Sequence, residues 1–260
     1  MIVYTKLFTP SFLPLTLHQP QILSLPKFSF STIRATLLSI AFAANCSTAL
    51  AESTCYGTIS NGRIEGAVQL PSSGPNFTAY SNAGVTLGRT YVHFKVANIV
   101  VEAYRELEKA SPPTRFVFGE TGWKSGGSIK PHRTHQNGLS VDFFVPVRNA
   151  SGQSVPLPTN ITNKYGYAID FDKQGKFGDY AIDFEAIAEH LYQLHTVATR
   201  QNAPIKLVIF DPPYLPKLFA TKRGEFLRQH IPFMSGNAWV RHDEHYHVDF
   251  EIACRPLSKQ

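Results

Sequence analysis

The sequence predicts an α+β fold in which helices flank a small antiparallel sheet. Two segments with an apolar residue every three or four positions predict helices, and shorter segments that alternate apolar and polar residues predict strands. The chain has 260 residues, of which 43% are hydrophobic and 17% charged. Such a chain is long and apolar enough to build the core of one ordinary globular domain.

The first 51 residues predict a secretory signal peptide. They contain three basic residues and no Asp or Glu, and they end in an apolar run, Ala35–Ala44, followed by small residues. We expect cleavage between Ala51 and Glu52 and a single domain over residues 52–260. The leader is unusually long, which suggests a true start further downstream. Its apolar run is shorter than the roughly 20 residues that span a bilayer, so we expect no membrane span in the mature protein.

Charge and cysteine content narrow the classes of function. Removal of the leader reduces the formal net charge from +6 to +3, and no Lys/Arg run remains. We therefore expect no nucleic-acid partner. Cys55 and Cys254 are the two cysteines that follow the leader, and an oxidising compartment would favour a disulfide between them. Two separate thiols are the alternative.

The helices and strands are predicted from the spacing of apolar residues and from the residues that interrupt it. Helices are predicted over Val96–Ala110, over Phe184–Thr199 and in part of Leu215–His230. Strands are predicted over Arg115–Gly119, Leu139–Val147, Ile205–Asp211 and His245–Ala253. The sequence Tyr-Ala-Ile-Asp-Phe occurs at Tyr167–Phe171 and again at Tyr180–Phe184, and we expect the first copy and the turn after it to form part of a hairpin. His190 and His195 read as ordinary surface or half-buried residues of the second helix.

Two short windows, well separated in the sequence, concentrate metal-binding side chains. These side chains are His132, His135 and Asp142 in Pro131–Asp142, and His242, His245 and His247 in Arg241–His247. Zinc(II) prefers neutral imidazole and carboxylate, and a hydrolytic site uses about three protein ligands, leaving one position for water. Strand alternation places His245 and His247 on one face of the last strand. The windows therefore predict a catalytic zinc site carried by the sheet.

The spacing within each window resembles that of a known family. His132–Asp142 is similar to a His-x-x-His-Gln-x-Gly-Leu-Asp-Val-Asp segment, and His242–Val248 is similar to a His-x-x-His-x-His-Val segment. Both belong to the penicillin-insensitive murein endopeptidases, within the zinc peptidase superfamily of lysostaphin-type endopeptidases, D-Ala-D-Ala peptidases and the hedgehog signalling domain. Weaker similarity at Asn61–Ala67 and Val208–Phe210 extends the resemblance over most of the mature chain.

The resemblance implies roles for the residues of both windows. It implies His135, Asp142 and His247 as ligands of a Zn²⁺ cofactor, His245 as the catalytic residue, and His132 and His242 as accessory active-site groups. The implied protein is a secreted, periplasmic metalloendopeptidase whose partner is peptidoglycan and which hydrolyses the D-Ala–diaminopimelate cross-link. Such a reaction forms no serine acyl-enzyme, which would explain insensitivity to penicillin.

Two residues depart from this simple picture. Ser140 stands where the family usually has Asp, two residues before a ligand, which predicts a change in the groups that support the ligands. Glu244 precedes His247 by three positions, the spacing at which D-Ala-D-Ala dipeptidases place a general-base Glu. The chain thus has two candidate bases. On a regular strand Glu244 points away from His247, which favours His245, and a bend before Tyr246 would reverse that argument.

Two other functions stay open at this point. One is a D-Ala-D-Ala carboxypeptidase or dipeptidase, which would be favoured by a cleft closed at one end by cationic groups. The other is a zinc-containing protein that binds the cell wall without hydrolysing it. The presence of both His245 and Glu244 argues against pure binding, which needs neither residue.

Overall fold

The computed structural model describes residues 52–257, so the predicted signal peptide lies outside the described residues. The strands are β1 (Thr54–Thr58), β2 (Asn61–Glu65), β3 (Val68–Gln69), β4 (Phe77–Ala79), β5 (Tyr91–Val92), β6 (Phe116–Phe118), β7 (Ser140–Phe144), β8 (Val147–Arg148), β9 (Ser154–Val155), β10 (Lys176–Phe177), β11 (Tyr180–Ile182), β12 (Ile205–Ile209) and β13 (His245–Phe250). The helices are α1 (Asn82–Thr86), α2 (Phe94–Ala110), α3 (Phe184–Arg200), α4 (Leu215–Phe219) and α5 (Gly224–His230).

Five strands form the central sheet in the order β12-β13-β7-β6-β4. Its pairs are antiparallel except β4 and β6, which run parallel because the chain crosses between them through α2. Smaller antiparallel sheets surround it. The α+β class is confirmed, and the sheet is mixed rather than wholly antiparallel.

The β7–β13 pair forms the middle of this sheet and is buried along its whole length. Tyr246 lies opposite Phe143 and Val248 opposite Val141, so these four side chains share one face of the pair. The ring of His190 from α3 packs against Phe143 and Tyr246, which shows that this face is covered by helix. The other face carries His245 and His247.

Helices α2 and α3 match their predicted spans closely. Each begins at a side-chain cap: His93 Nδ1 accepts the backbone N–H of Lys95, and Asp183 Oδ1 accepts that of Ala186. Both helices bury an apolar stripe. No helix in the described part of the chain is both long and apolar enough to cross a membrane.

A disulfide joins the two ends of the described chain. Cys55 in β1 and Cys254 beyond β13 are bonded, with their Cα atoms 4.8 Å apart and a sequence separation of 199. The pairing expected from an oxidising compartment is therefore confirmed. A cross-link that closes so long a loop contributes roughly 3–5 kcal/mol in the chain-entropy model.

The hairpin expected near the Tyr-Ala-Ile-Asp-Phe repeats differs from the prediction. It is formed by β10 and β11, so only the second copy contributes a strand. The first copy instead follows a 3-10 helix, Ile161–Gly166, and begins at Tyr167. Tertiary contacts of Tyr167 and Phe171 outweigh their strand propensity here.

Candidate active site

The middle of the central sheet brings three residues of the two windows together. Asp142 in β7 lies directly opposite His247 in β13, and His245 lies two residues before His247 on the same face. All three side chains are buried, and Asp142 is completely so. The sheet thus joins residues that are 105 positions apart in sequence.

The loop before β7 brings His135 to the same point. His135 has φ 68°, a left-handed conformation that costs a non-glycine residue roughly 1–2 kcal/mol. Its Nδ1–H donates to the Thr121 carbonyl oxygen at 3.2 Å, which fixes the ring with Nε2 facing Asp142. A Cβ atom at Gly122 would lie 2.8 Å from the His135 carbonyl oxygen, so a glycine is needed beside this strained residue.

Two histidine nitrogens approach the same oxygen of Asp142. Asp142 Oδ1 lies 3.1 Å from His135 Nε2 and 2.9 Å from His247 Nδ1. His135 Nε2 is buried and makes no hydrogen bond, because its approach to Oδ1 lacks hydrogen-bond geometry. An unsatisfied buried nitrogen costs about 1–3 kcal/mol, a cost that a bound cation removes. Two imidazoles and a carboxylate are a donor set that fits zinc.

His132 lies on the other side of the Asp142 carboxylate. His132, His135 and Asp142 offer ligand atoms that all lie within 4.8 Å of one another, a spacing that could hold a metal ion. His132 Nδ1 is 3.7 Å from Asp142 Oδ2, whereas His132 Nε2 donates to Glu120 Oε2 at 2.9 Å. Glu120 thereby engages Nε2 and leaves Nδ1 facing the site.

Glu120 is a site residue that the sequence reasoning missed. Its buried carboxylate accepts hydrogen bonds from His132 and, at 2.9 Å, from the Tyr80 hydroxyl. It also accepts two hydrogen bonds of 2.6 Å from Arg89, one from Nε and one from a terminal guanidinium nitrogen. Burial alone would raise the pKa of Glu120, but His132 and Arg89 hold it below its usual value. Glu120 is thus an anion that orients His132.

The electrostatics of the Asp142 cluster suit metal binding. Burial alone would raise the pKa of Asp142, yet the surrounding histidines keep it well below the usual range, so the carboxylate is ionised. Burial lowers the pKa of His135, which favours the neutral imidazole that a metal needs. His247 differs: burial would lower its pKa, but Asp249 and Asp142 raise it to about 10. A cation bound at Nδ1 would replace that proton.

Glu244 does not point away from the site, contrary to the expectation from strand alternation. Strand β13 begins at His245, so Glu244 lies outside the regular alternation. Its carboxylate accepts from His245 Nδ1 at 2.8 Å, which leaves His245 Nε2 facing Asp142 Oδ2 at 3.8 Å. Burial would lower the pKa of His245, but Glu244 and Asp142 raise it. Glu244 and His245 therefore form a carboxylate–imidazole pair directed at the site.

His242, the remaining member of the windows, lies behind His245. Its Nδ1–H donates to the Val240 carbonyl oxygen at 2.9 Å, and its ring centroid is 4.6 Å from that of His245. Burial, reinforced by His245, lowers the pKa of His242 to about 3. His242 is thus a neutral ring in the site.

Tyr167 supports the cluster from a segment whose role the sequence did not reveal. Its hydroxyl donates to Asp142 Oδ2 at 3.0 Å and accepts from the backbone N–H of Glu120 at 2.8 Å. This approach requires Gly119, where a Cβ atom would lie 2.5 Å from the Tyr167 hydroxyl. Tyr167 thereby occupies Oδ2 and leaves Oδ1 to the converging histidines.

A small pocket of about 150 Å³ opens onto this cluster. Its lining includes His132, Tyr167, His242, Glu244, His245 and His247, together with Trp239 and Arg241. Trp239 therefore lines the cleft. Trp123 instead donates to the Ser128 carbonyl oxygen and packs under Arg89.

Comparison with known proteins agrees with this geometry. The family model described as penicillin-insensitive murein endopeptidase matches residues 55–260. No curated protein matches the chain. The match covers all six residues of the two windows and most of the sequence. The chain belongs to the penicillin-insensitive murein endopeptidase family.

Proposed function

We propose that this protein is a secreted zinc metalloendopeptidase that hydrolyses the D-Ala–diaminopimelate cross-links of peptidoglycan. The observation that carries the proposal is the approach of His135 Nε2 and His247 Nδ1 to the same oxygen, Asp142 Oδ1, beside a carboxylate–imidazole pair. The family supplies the murein substrate and the peptidase class. Secretion and a periplasmic location accord with the disulfide between Cys55 and Cys254, since such bonds persist in oxidising compartments.

We assign His135, Asp142 and His247 as the zinc ligands. His132 is also close enough to be considered, but two contacts favour His247. His247 Nδ1 and His135 Nε2 approach the same oxygen of Asp142, whereas His132 Nδ1 lies nearer the oxygen that already accepts from Tyr167. Three protein ligands leave a position open, as in other hydrolytic zinc sites.

The chemistry that such an ion supplies is polarisation of the scissile carbonyl and a lower pKa for a water molecule. His245 is then the residue that holds and transfers the proton at Nε2 to the departing amine, while Glu244 fixes its tautomer from Nδ1. His132, oriented by Glu120, presents Nδ1 from the opposite side, where it can hydrogen-bond to the attacking water. His242 packs behind His245 and helps to exclude bulk water.

The carboxypeptidase alternative receives less support. It would be favoured by a cleft end closed by free cationic groups. Among the described residues that line the pocket, Arg241 is the only lysine or arginine. Its guanidinium already contacts the carboxylates of Asp170, Asp211 and Asp243. No free cation is thus positioned there to receive a terminal carboxylate.

Metal analysis tests the site assignment. We expect the purified protein to bind about one zinc per chain, and His135→Ala and His247→Ala to lose most of it. His132→Ala should retain zinc, and His195→Ala, on the half-buried part of α3, is the matched control. Full zinc in the His247 variant together with loss in the His132 variant would refute the ligand assignment.

Digestion of purified sacculi tests the reaction. We expect loss of cross-linked dimers with gain of monomers, read by mass spectrometry, and no effect of penicillin on the rate. Release of free D-Ala without loss of dimers would indicate the carboxypeptidase instead. Unchanged sacculi from a fully zinc-loaded protein would leave only wall binding and would refute the proposed activity.

A further inference from the structure

The catalytic pocket is too small for the whole of a cross-linked peptide. Its volume is about 150 Å³, whereas sites that enclose a drug-sized ligand measure about 300–1,000 Å³. The pocket can accept the scissile amide and its immediate neighbours. The arms of the substrate on either side of that bond must therefore rest on the surrounding surface.

One adjoining surface has the required size. A groove of about 940 Å³ runs between residues 170–178, residues 211–214 and residues 237–241, and we call it the lateral groove. Trp239, Val240 and Arg241 line both this groove and the catalytic pocket. A chain that leaves the pocket on this side passes directly into the lateral groove.

The lateral groove also holds much of the exposed apolar surface. Among the described residues, five large hydrophobic side chains are exposed, and Phe177, Trp239 and Val240 of the groove are three of them. Val240 is 53% exposed, and Phe177 and Trp239 are each 37% exposed. Apolar side chains gathered in this way beside a catalytic pocket are typical of a binding surface.

Two lysine side chains of the groove have no ionic partner, although the acidic and basic residues that line it are equal in number. Asp170 and Asp211 are engaged by Arg241, and Asp172 Oδ1 accepts the backbone N–H groups of Gln174 and Lys176. The ammonium groups of Lys173 and Lys176 are exposed and form no ion pair within the part of the chain that is described. These two ammonium groups are therefore available to pair with carboxylates of a ligand.

The groove is held in shape by its own contacts. The Tyr214 hydroxyl donates to the Asp172 carbonyl oxygen at 2.6 Å, and Arg241 donates to that of Phe171 at 3.1 Å. The Phe171 N–H in turn donates to the buried carboxylate of Asp243 at 2.7 Å. These bonds tie the turn that bears both lysines to the rest of the domain, so a ligand need not order it on binding.

We propose that the lateral groove binds one stem-peptide arm of the cross-linked substrate, with Lys173 and Lys176 contacting its free carboxylates and Phe177 and Trp239 contacting its apolar groups. This proposal rests on the murein substrate of the proposed function. Peptidoglycan stems join residues through side-chain carboxyl and amino groups, so they carry α-carboxylates that an ordinary peptide of this length lacks. The lateral groove thereby selects murein over other peptides.

Binding of an uncross-linked stem peptide tests the groove independently of catalysis. The affinity of a synthetic stem peptide with free carboxylates is measured by calorimetry for the zinc-loaded protein and for the double variant Lys173→Ala/Lys176→Ala. We expect roughly 5- to 20-fold weaker binding by the variant, and equally weak binding of the carboxyl-amidated peptide by both proteins. The control variant, Lys206→Ala/Lys222→Ala, removes two exposed lysines outside the groove and should bind normally.

Kinetics on a purified cross-linked muropeptide dimer supply the second measurement. We expect KM to rise about tenfold in the groove variant while kcat stays within about twofold, because the lysines lie away from the reacting bond. Stem-peptide affinity equal to that of the control would overturn the proposal. If no variant cleaves the dimer, the proposed function fails, and the calorimetry alone decides whether the groove binds stems.

Discussion

Ser140 and Asp249 face each other across the β7–β13 pair, and the Ser140 hydroxyl donates to Asp249 Oδ1 at 2.6 Å. The same oxygen lies 2.8 Å from His247 Nε2. The acid that contacts His247 thus stands in β13, opposite Ser140, the position at which the resemblance predicts Asp. Ser140 in place of Asp left open which group accepts a hydrogen bond from the site histidines, and Asp249 accepts one from His247.

Asp249 should set how tightly His247 holds the metal. Loss of such a carboxylate partner typically weakens metal affinity by about 10–100-fold, and we expect Asp249→Asn to fall within this range. Ser140→Ala removes only the hydroxyl that fixes Asp249, so its effect should be several-fold smaller. Competition with a zinc chelator measures the zinc affinity of both variants. The control is Glu251→Gln, which changes an exposed acid just beyond β13. Normal affinity in Asp249→Asn would contradict a supporting role.

The Glu244–His245 pair should lose activity unequally when each member is changed. If His245 transfers the proton, His245→Ala should lower kcat by about 10²–10⁴-fold. Glu244→Gln keeps a hydrogen-bond acceptor near His245 Nδ1, so its loss should be smaller, about 10–100-fold, as for other carboxylates that orient a site histidine. Zinc content, measured in parallel, should stay near that of the unaltered chain in both. A greater loss of kcat in the Glu244 variant would make Glu244 the base.

Tyr167 should contribute both stability and metal affinity. Tyr167→Phe deprives a fully buried Asp142 oxygen and the Glu120 N–H of their shared partner, a cost of about 1–3 kcal/mol. Urea unfolding of the zinc-free protein measures the loss, and chelator competition should show weaker zinc binding. Tyr165→Phe makes the same chemical change at a neighbouring half-buried tyrosine and should have little effect. Equal stability of the two variants would remove the role assigned to Tyr167.

Residues predicted correctly are those whose position follows from a local pattern. Alternation along the last strand placed His245 and His247 on one face, and sheet pairing then brought Asp142 opposite His247. Glu244 was placed on the wrong side because the strand begins one residue after it.

Residues missed by the sequence reasoning reach the site through tertiary contacts. Tyr167 lies 25 positions beyond Asp142 and follows a 3-10 helix, so no strand or helix period marks it. Glu120 lies on a loop and is distinguished only by the partners that surround its carboxylate. A single sequence contains no periodic signal for either contact.

His190 should make the fold sensitive to acid. It was expected to be an ordinary surface or half-buried residue of α3, but it is fully buried, stacked on Tyr104 and hydrogen bonded to the Tyr246 hydroxyl. Burial lowers the pKa of His190 from 6.5 to about 3. Between these values the unfolded chain binds a proton that the folded chain excludes, so stability falls as the pH falls.

The contribution of His190 can be isolated by comparing how the free energy of unfolding changes with pH in the unaltered chain and in a His190 variant. From pH 7 to pH 5 the shift should cost about 2 kcal/mol of unfolding free energy. His190→Gln cannot titrate and should lose that much less stability over the same interval, whatever its stability at pH 7. Denaturant unfolding with chelator present throughout measures the difference, because the site histidines then contribute equally to both chains. His230→Gln, at the exposed end of α5, is the control and should show the same change of unfolding free energy with pH as the unaltered chain. If His190→Gln also shows that change, other groups are responsible for the acid sensitivity.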